Sequence, residues 1–186
     1  MTTSIVWLRD DLRIADNPAL SAAVETAAST GGDVVVVYIR DEVTPGIRPL
    51  GSASNWWLHG GLDNLAYRLN RLGAKLVLRS GGAHDVIREL IRETNATHIF
   101  WNRRYGLAER NLDATIKEYA KASGLEAASF AANLLHEPWT IRTGSGTPYT
   151  VFTPFWKTCI NQLTPPRAPL SAPATIPGFA GELASD

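Results

Sequence analysis

Val34-Val35-Val36-Val37-Tyr38-Ile39 is a six-residue apolar run without polar alternation. A strand with one wet face alternates, so an unbroken run predicts a strand covered on both faces, as in a parallel sheet. Three more runs read the same way: Ile5-Val6-Trp7-Leu8, Leu76-Val77-Leu78 and Ile99-Phe100-Trp101. A weaker fifth lies at residues 127–130.

Helical spacing fills the intervals. Leu58, Leu62, Leu65, Leu69 and Leu72 recur at steps of four and three, with Arg68 and Arg71 left for solvent, which predicts a helix over 54–72 ending at Gly73. Asn17 followed by Pro18 marks another helix start: the Asn side chain caps free amides, and Pro is harmless at the first helical position. Val86, Leu90 and Ile91 imply a third helix, and Leu112, Ile116 and Tyr119 a fourth. The fold class that follows is α/β, a Rossmann-like doubly wound parallel sheet of about five strands flanked by helices. Ligands collect at the carboxyl ends of such strands, which directs attention to loops 9–17, 40–53, 79–84 and 102–108. Trp56 and Trp57, opening the second helix, are expected to be packing residues.

After Phe130 the alternation stops. Residues 131–150 read as a loop in which Gly144-Ser145-Gly146 makes a flexible turn, and a short amphipathic segment spans 152–163. From Thr164 the chain is rich in Pro, Ala and Gly with little to bury, the composition of a linker or a frayed end.

Composition narrows the function. The 18 basic and 18 acidic residues balance, so the molecule lacks the overall positive charge of a stand-alone duplex binder, and any nucleic-acid contact must be local. Cys159 is the single cysteine, which excludes an intrachain disulfide and reads as a small buried hydrophobe. His59, His84, His98 and His136 have no metal-ligand spacing. No run approaches the ~18 apolar residues of a membrane span, and the amino terminus meets charge too early for a signal peptide. The expectation is a soluble cytoplasmic protein without a membrane partner. Neither a glycine-rich phosphate loop nor a Gly-x-Ser-x-Gly nucleophile elbow is present, which argues against a dehydrogenase, a P-loop NTPase and a hydrolase.

The unusual stretch is Trp7-Leu8-Arg9-Asp10-Asp11-Leu12-Arg13-Ile14-Ala15-Asp16-Asn17-Pro18-Ala19-Leu20, which crowds two arginines and three aspartates onto the end of the first strand. Arg9, Asp11, Arg13 and Asp16 can pair among themselves as an ion network that fixes the strand-to-helix turn, the reading favoured for Asp11 and Arg13. For Arg9 and Asp10, ligand contact and scaffolding stand equally open. Arg40 and Arg48 beyond the second strand are candidates for an anionic group of a ligand, against plain solvation. Arg103 and Arg104 after the fourth offer phosphate or chromophore contact, against pairing with acids such as Glu109 and Asp113.

This stretch resembles the opening signature of the photolyase and cryptochrome family, matched at Trp7, Leu8, Arg9, Asp11, Leu12, Arg13, Asp16, Asn17 and Leu20. Trp101-Asn102-Arg103-Arg104-Tyr105 and Tyr149-Thr150-Val151-Phe152-Thr153-Pro154-Phe155-Trp156-Lys157 fall where that family places similar segments, so the similarity covers roughly residues 4–163. The resemblance implies an amino-terminal antenna domain over 1–163 and a linker over 164–186, leading to a helical FAD-binding domain outside this chain. It implies a light-dependent deoxyribodipyrimidine photolyase, whose FAD splits cyclobutane pyrimidine dimers in damaged DNA, with no catalysis by these 186 residues alone. The alternatives are a cryptochrome photoreceptor and a stand-alone adenine-nucleotide-binding module.

The antenna chromophore implied is a reduced folate, a flavin or a deazaflavin. Glu109 stands where folate-binding members carry a carboxylate, although Ala108 replaces the usual asparagine. Arg104 and Gly106 replace the acidic residues of deazaflavin types. The chromophore candidates are therefore Arg9, Asp10, Arg40, Arg48, Arg103, Arg104 and Glu109, with Trp7, Asp11, Arg13, Asp16 and Asn17 as the structural motif. Phe152, Phe155 and Trp156 form a face for packing against the helical domain.

Overall fold

A computed structural model describes residues 2–161 and 166–186. Five strands and five helices follow in order: β1 (Thr3–Leu8), α1 (Pro18–Thr30), β2 (Asp33–Arg40), α2 (Ser52–Arg71), β3 (Leu76–Ser80), α3 (Ala83–Thr94), β4 (His98–Asn102), α4 (Leu107–Ala122), β5 (Glu126–Phe130) and α5 (Phe152–Asn161). The strands form one parallel sheet in the order β3-β2-β1-β4-β5. All four unbroken apolar runs are thus neighbouring parallel strands, as the absence of alternation predicts.

Successive residues of a strand face opposite sides, and the core divides accordingly. Val6, Leu8, Val34, Val36 and Phe100 pack with residues of α1 and α2. Ile5, Trp7, Val35, Val37, Ile99 and Trp101 pack with residues of α3 and α4. The chain runs outward from β1 through β2 to β3 along one face, then returns by α3 on the other face to place β4 beside β1. Between the ends of β1 and β4 the order reverses, which opens a crevice there.

Asn17 caps α1 by accepting the Leu20 N–H at 3.1 Å, and Pro18 occupies the first helical position, as expected. α2 differs from expectation at its amino half. Leu65 and Leu69 are buried, but Trp56 and Trp57 are 75% and 76% exposed instead of packed. A 20-residue helix spans ~30 Å, whereas the five-residue β3 spans only ~16 Å, so the first turns of α2 overrun the sheet that would bury them.

The carboxyl-terminal stretch is not the frayed end that its composition allows. Residues 166–186 lie back along the domain. The Leu170 carbonyl accepts the Asp16 N–H at 2.8 Å, and the Leu72 carbonyl accepts the Ile176 N–H at 2.7 Å. The Pro177 carbonyl accepts from Val34 at 2.7 Å and the Val34 carbonyl from Phe179 at 3.1 Å, a parallel bridge. β3 begins opposite Val36, so the tail occupies its place beside the first residues of β2. Ile176, 2% exposed, plugs the core below α1 and α2, while Phe179 and Leu183 pack on the opposite core. This crossing requires glycine. A Cβ on Gly178 would overlap the Gly73 carbonyl, and one on Gly73, whose φ is +98°, would stand 2.9 Å from the Ile176 carbonyl. Tail composition concealed this packing because main-chain groups and only three apolar side chains, Ile176, Phe179 and Leu183, do the anchoring.

α5 buries no residue, and Cys159 on it is half-buried. Leu163, at the predicted end of that amphipathic segment, lies outside the described residues. Thr143 and Thr147 close the expected turn around Gly146 through a 2.9 Å main-chain bond. Among the described residues no helix is long and apolar enough to cross a membrane, and no group of His, Cys, Asp and Glu has metal-binding geometry.

Candidate functional site

At the end of β1 the backbone turns away from the sheet, and buried side chains hold the turn. The Asp11 carboxylate, 1% exposed, accepts the Arg9 N–H at 2.8 Å, the Asn17 amide at 3.3 Å and the amide of Asn102 at the end of β4. Asn102 also donates to Asn17 Oδ1 at 2.8 Å and accepts the Ala19 N–H at 3.2 Å. Asp11, Asn17 and Asn102 therefore tie β1, α1 and β4 together at the switch point. This replaces the expected ion network among Arg9, Asp11, Arg13 and Asp16. Arg13 donates to the Asp16 and Ala132 carbonyls at 3.0 and 2.8 Å, and Asp16, at φ +52°, pairs with Arg167 of the tail at 2.6 Å. Such links between distant residues are invisible to local spacing.

Arg9 is scaffold as well as lining. Its guanidinium lies 4.4 Å over the Trp7 ring and donates to the Asn102 carbonyl at 2.5 Å and to Asp113 at 2.8 and 3.3 Å. Burial pulls the Arg9 guanidinium below its ordinary pKa, and the Asp113 charge opposes that pull. Asp113 also accepts the Trp101 indole N–H at 2.8 Å. Asp113 sits on the buried stripe of α4 with Leu112, Ile116 and Ala120. A carboxylate on such a stripe was the sequence signal for a buried cationic partner.

Above this scaffold, a cleft opens at the carboxyl ends of β1, β2 and β4. Trp7, Ile39, Ile47 and Leu112 form its apolar part. Tyr38 stands at the wall, its phenol pushed up in pKa by burial and then by the Asp10 charge. Around the rim, Arg104 grips Asp10 with two bonds of 2.6 and 2.8 Å, and Arg40 meets Glu42 at 3.0 Å. Arg48 and Glu109 also line the cleft and form no ion pair among the described residues. The Glu109 carboxylate folds back over Gly106 at the start of α4.

Six of the seven chromophore candidates thus meet at one cleft: Arg9, Asp10, Arg40, Arg48, Arg104 and Glu109. Arg103 does not. It turns toward β5, pairing with Glu137 at 2.6 Å and donating to the Ser129 carbonyl. The expected acids, Glu109 and Asp113, are partners of neither Arg103 nor Arg104: in the loop just beyond β4, Arg103 meets Glu137 and Arg104 meets Asp10. Asn102 and Glu137 went unassigned from sequence, and Asp113 was offered to Arg103 or Arg104 when its partner is Arg9, because each acts on a partner far along the chain. The α5 aromatics stand exposed, Phe152 stacking on Trp156 with ring centroids 6.3 Å apart.

An apolar-floored cleft with charged rim groups suits a flat conjugated ligand carrying an ionised substituent. The DNA photolyase family model matches residues 4–174 of the chain. A deoxyribodipyrimidine photo-lyase of Agrobacterium fabrum is 44% identical over 172 residues, covering 92% of this chain and 34% of that protein. Cryptochrome-1 of Arabidopsis thaliana is 35% identical over 174 residues, covering 93% of this chain and 25% of that one. The crystal structure of a bacterial class III photolyase from Agrobacterium tumefaciens has the same fold at a TM-score of 0.91 and 41% identity, covering 100% of this chain and 37% of that one. The chain spans about a third or less of the length of these relatives.

Proposed function

Because this chain belongs to the DNA photolyase family, we propose that it is the antenna-chromophore domain of a light-dependent deoxyribodipyrimidine photolyase, acting in the cytoplasm. The observation that carries the proposal is the cleft at the sheet's switch point, where Trp7 and Leu112 offer an apolar bed and Arg48 a cation with no ion pair among the described residues. A reduced folate, a flavin and a deazaflavin each combine a flat ring system with an anionic tail. Such a chromophore, when bound, absorbs light and passes the excitation on. Trp7, Leu112 and Ile47 would hold its ring, and Arg48, with Arg9, Arg40 and Arg104 nearby, its charge.

In the whole protein FAD would occupy a separate helical domain and supply the electron that splits a pyrimidine dimer in damaged DNA. Residues 164–186 would lead toward that domain, and Phe152, Phe155 and Trp156 would pack on it. A cryptochrome is the second reading, favoured by the 35% identity to the Arabidopsis protein. Light-driven repair of dimer-containing DNA by the full-length protein supports the first reading, and binding of FAD without repair supports the second.

For the cleft itself, reduced folate, FMN and a deazaflavin are titrated separately against the 186-residue chain. The expected result is a spectral shift with one of them that is lost in Leu112→Trp, which fills the cleft. Saturable binding of ATP or AMP, lost in the same variant while all three chromophores fail, would favour a nucleotide-binding module instead.

A further inference from the structure

Residues 41–50 connect β2 to α2 by passing over the cleft, toward which Ile47, Arg48 and Leu50 face. One carboxylate fastens the root of this segment. Asp41 Oδ1 accepts the backbone N–H of Val43 at 3.1 Å and of Thr44 at 2.8 Å. Oδ2 accepts the Thr44 hydroxyl at 2.5 Å and the backbone N–H of Ala83 at 3.0 Å. Ala83 opens α3, whose own N-cap, Gly82, has no side chain to offer. Asp41 thus supplies from another loop the acceptor that a Ser or Asp at the cap would provide. At the tip, Gly46 has φ +85°, and a Cβ there would lie 3.0 Å from the Ala108 Cβ in the first turn of α4. The segment is therefore bonded to α3 on one side of the cleft and rests on α4 on the other.

Its other polar restraints are fewer: Glu42 meets Arg40 at 3.0 Å, the Ile47 N–H donates to the Thr44 carbonyl at 3.0 Å and the Asn55 amide to the Leu50 carbonyl at 3.0 Å. Val43 is 68% exposed and Leu50 46%, and Ile47 is the one member of the segment packed against the buried core among the described residues. Segments with few apolar contacts open locally at low free energy, and the four hydrogen bonds gathered on Asp41 are the largest set holding this one closed.

We propose that residues 41–50 form a lid on the cleft and that Asp41 is the positioning residue that clasps it shut. What passes beneath the lid rests on the chromophore reading above, but the clasp does not. Opening breaks the Asp41 bonds to Val43, Thr44 and Ala83, lifts Ile47 from the apolar floor and exposes Leu112. Closing brings Arg48 over whatever occupies the space. The Asp41 carboxyl favours the charged form that these donors need: burial pushes its pKa up, but the bonds from Thr44, Ala83 and Val43 outweigh burial and hold it below the ordinary value.

Hydrogen exchange on the 186-residue chain tests the clasp without any ligand. In Asp41→Ala the amides of Val43, Thr44, Ile47 and Ala83 should exchange about tenfold faster or more, since bonds to a charged acceptor are lost. In Thr44→Val, which removes a single donor to Asp41, the same amides should quicken less, and the amides of β1 and β4 should keep their protection in both variants. A second readout reports access: in a Cys159→Ser, Leu112→Cys background, Asp41→Ala should speed labelling of the cleft thiol by a small maleimide to a similar degree. Unchanged exchange over 42–50, a gain spread evenly through the sheet, or an unchanged labelling rate would each overturn the proposal. Failure of FMN, reduced folate and a deazaflavin to bind would count against the chromophore reading and leave these measurements intact.

Discussion

Arg9 and Asp113 show what a buried charge demands of this fold. Their ion pair is 2.8 Å long with both side chains nearly sealed from water, and Asp113 simultaneously holds the Trp101 indole. Removing one partner leaves the other charge buried and unpaired, so Asp113→Ala should cost ~3–5 kcal/mol in urea unfolding. Asp16 is a different case, set at the surface where the tail meets the β1–α1 turn. Its carboxyl lies below the ordinary 3.8, first through the hydrogen bond from Arg167 and then through the Leu170 N–H. A carboxyl depressed on folding contributes stability that is complete above its unfolded pKa and lost as pH falls through its folded one. The tail should therefore stay latched at neutral pH and loosen below 3.8. NMR titration of the Asp16 carboxyl, with the Leu170 amide followed in parallel, checks this, and Arg167→Ala should move the Asp16 pKa back toward its ordinary value.

Among the elements, α1 was legible in the sequence, because a cap, a proline and the first turn are neighbours along the chain. The tail was not, because what it covers lies more than a hundred residues earlier. Its anchor is Ile176, and Ile176→Ala should cost ~2–5 kcal/mol in thermal or urea unfolding. Were residues 166–186 an unattached tether, that substitution would be silent. The overrun of α2 leads to the opposite expectation. Trp56→Ala and Trp57→Ala should each change unfolding free energy by no more than ~0.5 kcal/mol, since both rings are largely in water. Helical periodicity marked the apolar stripe from Leu58 to Leu72, but the extent of sheet beneath it depends on strand length and register.

On the scale of the whole molecule, a doubly wound sheet concentrates its loops at one edge, and six of the seven proposed chromophore residues converge there. The exposed aromatics of α5 lie elsewhere in the chain and contribute nothing to the buried core. Trp156→Ser should accordingly leave the thermal midpoint of the 186-residue chain within about 1 °C. In a full-length protein where α5 packs on a second domain, the same change should loosen the interface, read as faster proteolysis between the domains. Equal destabilisation in both settings would place Trp156 in this domain's own core instead.

By itself the sequence determined the strands, the helices, their alternation and the edge where a ligand would gather, because hydrophobic period, caps and turn residues act over a few positions. Tertiary structure alone decided that Arg9 answers to Asp113, that Arg103 and Arg104 part company, that Asp41 reaches across to α3 and that the proline-rich tail bridges onto β2. Each of these depends on which distant groups the fold brings within hydrogen-bonding range, and a charge or a carbonyl carries no mark in the linear chain of the partner it will meet.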